Sequence, residues 1–316
     1  MDLIGVQRNP VPTGARVGGF SGHDGLQLRY AVWEPTAGKA RGTVCVFGGR
    51  GEFIEKYFET IGDLRRRGFF VASMDWRGQG ASARLLSNAR KGHVESFTDY
   101  DRDLSMFMRD IVLPDCPQPY FALAHSMGGN ILLRAARLQD CWFDRIVAIA
   151  PMLRLCDLPF SLAASSVIVE AAMYFGLGDA YVPRGGDASW ESEPFEGNVL
   201  TFDEGRFLRN KSIFEAAPQL GIGSPTIGWL HEAIKSMMLI DDIDFPASVH
   251  VPTLMFAAAN DRVVDGRAIE ELAAQLKAGS QIVIDRAHHE ILQERDESRE
   301  QFWAGFDAFI PGSDIG

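Results

Sequence analysis

The chain is predicted to be an α/β protein, a mostly parallel, doubly wound sheet with an inserted helical cap. Three observations predict it. Short apolar segments of strand length alternate with helical segments up to about residue 150, the alternation breaks over 151–247, and it resumes from 248. Parallel strands covered by helices on both faces read as such apolar runs, bounded by turns. The expected organisation is one core, 1–150 together with 248–316, interrupted by a cap at 151–247.

Taken in order, "RVGGFSG" and "LQLRYAVWEP" read as an opening strand pair. "GTVCVFGG" (42–49) is a buried strand, followed by a helix over about 54–67, where Ile54, Tyr57, Phe58, Ile61 and Leu64 recur at helical spacing. "FFVASMDWRG" (69–78) is a strand running into a glycine-rich turn, and a helix over about 99–113 leads to the strand "YFALAHS" (120–126). A helix follows Met127, then the strand "RIVAIAP" (145–151). The insertion has little strand signal and many Pro, Gly, Trp and Met residues. After it come the strand "VPTLMFAAAND" (251–261), a helix near 266–277, the strand "SQIVIDRA" (280–287), and a last helix with Phe302, Phe306, Phe309 and Ile310 on one face.

Composition narrows the function classes. The 316 residues include 42 acidic and 31 basic side chains, a formal charge of −11. That sign repels nucleic acid and anionic lipid surfaces, so neither is expected as a bulk partner. The short basic run "DLRRRG" (63–68) reads as a solvated helix end. No basic, then apolar, leader opens the chain, so no signal peptide is expected. The longest apolar run, 161–178, contains Glu170 and is too short to span a bilayer, which leaves transient contact with lipid surfaces open. Cys45, Cys116, Cys141 and Cys156 show no C-x-x-C spacing and read as free buried thiols, which fits a reducing cytoplasm. The His and Asp residues form no metal-ligand spacing, and the glycines of "GGRGE" match neither nucleotide fingerprint, so no metal or cofactor is expected.

The chemistry centres on "FALAHSMGGN" (121–130), nearly a G-x-S-x-G nucleophile elbow with Ala124 in the first glycine position. By itself the stretch is equally well explained by a serine at a helix start. Asp261 and His289 change that balance. Each follows a strand, at the carboxyl end where open α/β sheets place their sites, and the order Ser–Asp–His is the one this elbow uses. Separately, Asp261 could cap a helix and His289 could be a surface histidine; together they form a triad. The loop "FGGRGEFIEKY" (47–57) follows a strand and can direct a backbone N–H at an oxyanion, as can Met127 at the start of its helix. His288 and His289 are adjacent on an extended segment, so only one can face Ser126.

With "GGRGEFIEKYFE", "DWRGQGAS", "GHVESFTDY", "LAHSMGGN", "AANDRVVD" and "HHEILQE" in hand, the chain resembles the α/β-hydrolase superfamily, in particular its monoacylglycerol lipase and bacterial lysophospholipase branch. The resemblance covers most of the core and, loosely, the cap. It implies Ser126 as nucleophile, His289 as base, Asp261 as the triad acid, and the backbone N–H groups of Arg50 and Met127 as the oxyanion hole. The chain departs from many relatives in having Phe47-Gly48-Gly49 where their loop begins His-Gly, which removes a supporting side chain and leaves the backbone donor. Asp75, Arg77 and the neighbouring glycines read as shaping a turn beside the site, and His93 as a structural or supporting histidine. His23, His125 and His250 have no partner pattern.

The expected activity is hydrolysis of a small-molecule or lipid carboxylic ester through an acyl-enzyme. The cap residues Phe160, Ile168, Met173, Tyr174, Phe175, Trp229, Leu230 and Met237 could line an acyl pocket, with Phe175 and Trp229 as the named candidates; packing within the cap is the competing explanation for each. A short-chain carboxylesterase and a non-catalytic ligand-binding protein on the same fold are the alternatives.

Overall fold

The apolar runs assemble into one eight-stranded sheet in the computed structural model, which describes residues 1–36, 38–138 and 140–313. The strands are β1 (Arg16–Ser21), β2 (Gln27–Trp33), β3 (Thr43–Phe47), β4 (Phe70–Met74), β5 (Tyr120–His125), β6 (Arg145–Ile149), β7 (Thr253–Ala258) and β8 (Gly279–Ile284). Across the sheet they run β1-β2-β4-β3-β5-β6-β7-β8. β2 pairs antiparallel with β1 and β4, and all later neighbours are parallel. β3, β5 and β7 are buried at every position, as strands covered on both faces must be. The fold is that of the α/β-hydrolases, as the sequence predicts.

The helices are α1 (Phe58–Arg66), α2 (Phe97–Phe107), α3 (Leu113–Asp115), α4 (Met127–Ala135), α5 (Leu162–Tyr174), α6 (Glu204–Ala216), α7 (Ile227–Ile240), α8 (Phe245–Ser248), α9 (Gly266–Gln275) and α10 (Asp296–Phe309). The expected helix over 54–67 opens as a 3-10 turn, Ile54–Tyr57, before α1. It stops at Gly68, whose φ of 87° lets Gly68 N–H reach the Arg65 carbonyl and Phe69 N–H the Leu64 carbonyl. That closing pattern needs a left-handed residue, which glycine adopts freely, and it turns the chain into β4. The expected helix over 99–113 is α2, extended by a π turn at Met108–Val112 into α3.

Between β6 and β7 the described residues add α5 to α8 and no strand to the sheet. Side-chain caps fix four helix starts in and after this segment: Ser161 on Ala164 N–H, Asp203 on Arg206 N–H, Thr226 on Trp229 N–H, and Asp265 on Arg267 N–H. The cysteines are free, but only Cys45 and Cys116 are fully buried. Cys156 is exposed, a correction to the expectation of buried thiols, because it lies in the loop after β6 rather than in a strand.

Candidate active site

β5 and α4 meet at a single residue. Ser126 has φ 51° and ψ −115°, a backbone conformation that costs a non-glycine residue about 1–3 kcal/mol and persists only where its surroundings enforce it. Here Ser126 N–H donates to the Ile149 carbonyl at 2.9 Å, and its own carbonyl accepts from Asn130 N–H at 3.1 Å and Met152 N–H at 3.0 Å. The glycines serve close approach: a Cβ on Gly128 would lie 2.6 Å from the Gly48 carbonyl oxygen, and one on Gly129 2.9 Å from Pro151 Cβ. Ala124 sits inside β5, in register with Phe47 of β3 and Ala148 of β6. Its methyl therefore belongs to the strand, and the turn forms without a glycine there.

The loops after β7 and β8 bring Asp261 and His289 to the same edge. His289 Nε2 lies 3.0 Å from Ser126 Oγ, and His289 Nδ1 lies 2.8 Å from Asp261 Oδ2. The other Asp261 oxygen accepts from Val263 N–H at 2.8 Å and Val264 N–H at 3.0 Å. Burial alone would raise the Asp261 pKa; the His289 ring and these two amides outweigh it and hold the carboxyl below its usual range. A carboxylate held below its usual range can orient the ring with a proton on Nδ1, an arrangement that would leave Nε2 able to accept from the serine hydroxyl. His288 points elsewhere: its Nδ1 lies 2.9 Å from the Asn260 carbonyl, and its ring stacks on Phe202 at 3.8 Å.

The loop after β3 lies against Ser126, since a Cβ on Gly49 would come within 3.0 Å of Ser126 Cβ. The amides flanking Arg50 are committed. Gly49 N–H donates to Glu52 and Gly51 N–H donates to Gln79 Oε1 at 3.1 Å. Gln79 Nε2 in turn donates to the carbonyls of Gly49 at 2.7 Å and Glu52 at 3.0 Å. The turn that carries Gln79 is pinned by buried Asp75, which accepts from Ile54 N–H, Ala81 N–H and the Arg29 side chain. Met127 opens α4, where the helix dipole favours negative charge. The Arg50 side chain reaches the inserted segment, donating to the Gly223 carbonyl and lying 5.3 Å from the centre of the Trp229 ring.

A cavity of about 530 Å³ opens beside Arg50, lined by Arg184, Trp190, Asn198, Leu200 and Phe207 among others. Neither acyl-pocket candidate lines it. Phe175 is 76% exposed at the end of α5, whereas Trp229 is buried against Phe97. His93 is buried and its Nδ1 meets Thr226 Oγ1 at 2.8 Å, tying the core to the start of α7. Among the described residues no group of His, Cys, Asp and Glu could hold a metal ion, and no helix is long and apolar enough to cross a membrane.

Sequence reasoning missed three residues that organise the site: Glu52, Gln79 and His125. His125 Nδ1 lies 3.0 Å from Glu52 Oε2 and its Nε2 lies 3.1 Å from the His289 carbonyl oxygen. The available signals were position alone, Glu52 at the end of the glycine-rich loop and His125 directly before the serine.

Comparison with known proteins identifies the family. The model of the Hydrolase_4 family, described as serine aminopeptidase S33, matches residues 38–296. Lysophospholipase L2 of Escherichia coli (strain K12) is 32% identical over 287 residues, 89% of this chain and 83% of that protein. Monoglyceride lipase of Rattus norvegicus is 31% identical over 155 residues, 49% of this chain and 48% of that one. A solved structure of a soluble variant of monoglyceride lipase from Saccharomyces cerevisiae superposes with a TM-score of 0.73 at 16% identity, covering 96% of this chain and 98% of that chain.

Proposed function

The chain belongs to the Hydrolase_4 (serine aminopeptidase S33) family and is a carboxylic ester hydrolase; from that premise we propose that it is a lysophospholipase or monoacylglycerol lipase working through a Ser126–His289–Asp261 triad. One observation carries the reading: a serine hydroxyl on a strained elbow lies 3.0 Å from an imidazole nitrogen whose other nitrogen is 2.8 Å from a buried aspartate. His289 Nε2 takes the Ser126 proton as Oγ attacks the acyl carbonyl carbon. Asp261 stabilises the imidazolium that results, and the backbone N–H groups of Arg50 and Met127 receive the oxyanion. The imidazolium then protonates the departing alkoxide, and the ester C–O bond breaks to leave acyl-Ser126. Water attacks next, giving its proton to His289, and the carboxylic acid leaves as the proton returns to Ser126 Oγ.

The helical segment 151–247 is the cap of this reading, latched to the oxyanion loop through Arg50, and the substrate is a lipid-like ester. Labelling by a fluorophosphonate tests the nucleophile, with hydrolysis of lysophospholipid, monoacylglycerol and a chain-length series of p-nitrophenyl esters alongside. The wild type should label and Ser126→Ala should not, losing on the order of 10⁴-fold or more in kcat while keeping its melting temperature. Near-normal turnover by Ser126→Ala would remove the triad. Preference for the shortest p-nitrophenyl esters over both lipids would make the protein a general carboxylesterase.

A further inference from the structure

Beneath the triad lies a buried group of charges that ester hydrolysis does not itself require. Glu52, Lys56, Tyr57, His125 and Glu290 are all less than a tenth exposed. Lys56 Nζ bridges Glu52 Oε1 at 3.2 Å and Glu290 Oε1 at 2.5 Å. Tyr57 donates its hydroxyl, and Gly49 its backbone N–H, to Glu52 Oε2.

The hydrogen-bond inventory decides the protonation of this group. Burial alone would raise the Glu52 pKa; the His125 ring, the Lys56 ammonium and the Tyr57 hydroxyl outweigh it and hold the group well below its usual range, as a carboxylate. A peptide carbonyl can only accept, so His125 Nε2, facing the His289 carbonyl, carries a proton. His125 Nδ1 faces the Glu52 carboxylate, so it carries a proton as well. A neutral ring would leave two acceptors in contact at about 3 Å in a water-free site, an arrangement that costs at least an unmade hydrogen bond. Burial alone would strip the proton from His125; Glu52, seconded by Glu290 and opposed by Lys56, outweighs it and holds the ring above the usual histidine range.

We propose that His125, held as an imidazolium between Glu52 and the His289 carbonyl, is a positioning residue that clamps the base loop and the oxyanion loop onto the nucleophile elbow. The three parts come from separate places in the chain, and His125 touches all of them. It is covalently next to Ser126, it donates to the backbone of His289, and through Glu52 it fixes the Gly49 amide, one residue before the Arg50 donor. Its ring also packs against the His289 ring, centroids 4.7 Å apart. A displacement of reacting groups by about 1 Å costs on the order of 100-fold in rate, so a clamp on both loops acts on kcat rather than on substrate affinity.

The inference rests on the triad reading, and its test separates the two. His125→Gln should lower kcat for a short-chain p-nitrophenyl ester by about 30- to 100-fold with KM within threefold. Glu52→Gln should do the same, and the double variant should be no worse than either single one, because both break one device. Wild-type kcat should fall at alkaline pH as His125 loses its proton beside Glu52, Lys56, Tyr57, Glu290 and His289, and that limb should be missing from His125→Gln. A folded His125→Gln with kcat within threefold of wild type, while Ser126→Ala is dead, overturns the clamp and leaves the triad standing. An active Ser126→Ala instead overturns the triad and the clamp with it. If His125→Gln does not fold, nitrogen-15 spectra of the wild-type histidine rings decide. A ring protonated on both nitrogens at pH 8 supports the clamp, and seven neutral rings at pH 8 overturn it.

Discussion

α4 and α5 are both apolar helices, yet they lead opposite lives. α4 buries eight of its nine residues between the sheet and its neighbours, whereas α5 buries only Ser165 and Val169 of thirteen. Val167 is 68% exposed and Tyr174 87%, although neither would look out of place in a core. α4 begins directly after Ser126, its N-cap, the residue proposed as nucleophile. α5 lies in the inserted segment, packed chiefly on α7. The lesson is that apolar composition stabilises only where it is covered; on α5 the same kinds of side chain remain exposed apolar surface.

Four predictions sharpen or break this contrast between a fixed core and a half-covered cap. The largest effect belongs to the core-borne loops. His289→Ala should reduce kcat/KM by several orders of magnitude, while His288→Ala, which loses only the Phe202 stack and a bond to the Asn260 carbonyl, should cost about tenfold at most. Both are measured on one short-chain ester, and the reverse ranking would move the base to His288.

Next come the two helices themselves. Leu132→Ala in α4 removes a fully buried side chain and should cost about 2–5 kcal/mol in denaturant unfolding. Ile168→Ser in α5 should stay within about 0.5 kcal/mol while shifting the ratio of long-chain to short-chain ester rates. Equal destabilisation by the two would mean that α5 is covered in solution.

The third concerns how the cap is fastened. Glu59 of α1 accepts from Arg206 and Arg209 of α6 and lies 3.7 Å from Arg299 of α10. Burial raises its pKa, but the Arg206 bonds and the neighbouring guanidinium charges win and hold it far below the usual range. A carboxylate depressed on folding stabilises fully above its unfolded value, about 4.3, and loses that contribution as pH falls through the folded one. The stability gap between wild type and Glu59→Gln should therefore be widest near pH 6 and shrink steadily as the pH drops below about 4. A gap independent of pH would show that Glu59 contributes packing only.

The smallest effect is expected at Ala124. Ala124→Gly restores the usual elbow pattern, but the strand already accommodates the methyl, so activity should stay within a few fold. Stability should fall by roughly 0.5–1 kcal/mol, because glycine adds freedom to the unfolded chain. A large loss of activity would mean that the methyl holds β5 against its neighbours.

Much of this was legible in the residues alone. Strand and helix positions follow from period and length, because an element's local pattern states which of its faces must be covered. Ser126, Asp261 and His289, the residues proposed as a triad, could be picked out because each closes an apolar strand, and strand ends on one edge of a parallel sheet converge wherever the intervening chain goes. What no local pattern contains is which distant polar groups meet. Glu52 and His125 are 73 residues apart, and His125 and the His289 carbonyl 164 apart. They come together because β3 and β5 are neighbours in the sheet and the loop after β8 folds back over them. The fate of the cap's apolar residues was equally closed to the sequence. Apart from Ser165, Ser166 and Glu170 α5 is apolar, and its apolar residues are not confined to one side, so its pattern names no buried face, and only the packing of α7 beside it decided that Trp229 and Met237 would be core and Tyr174 and Phe175 surface.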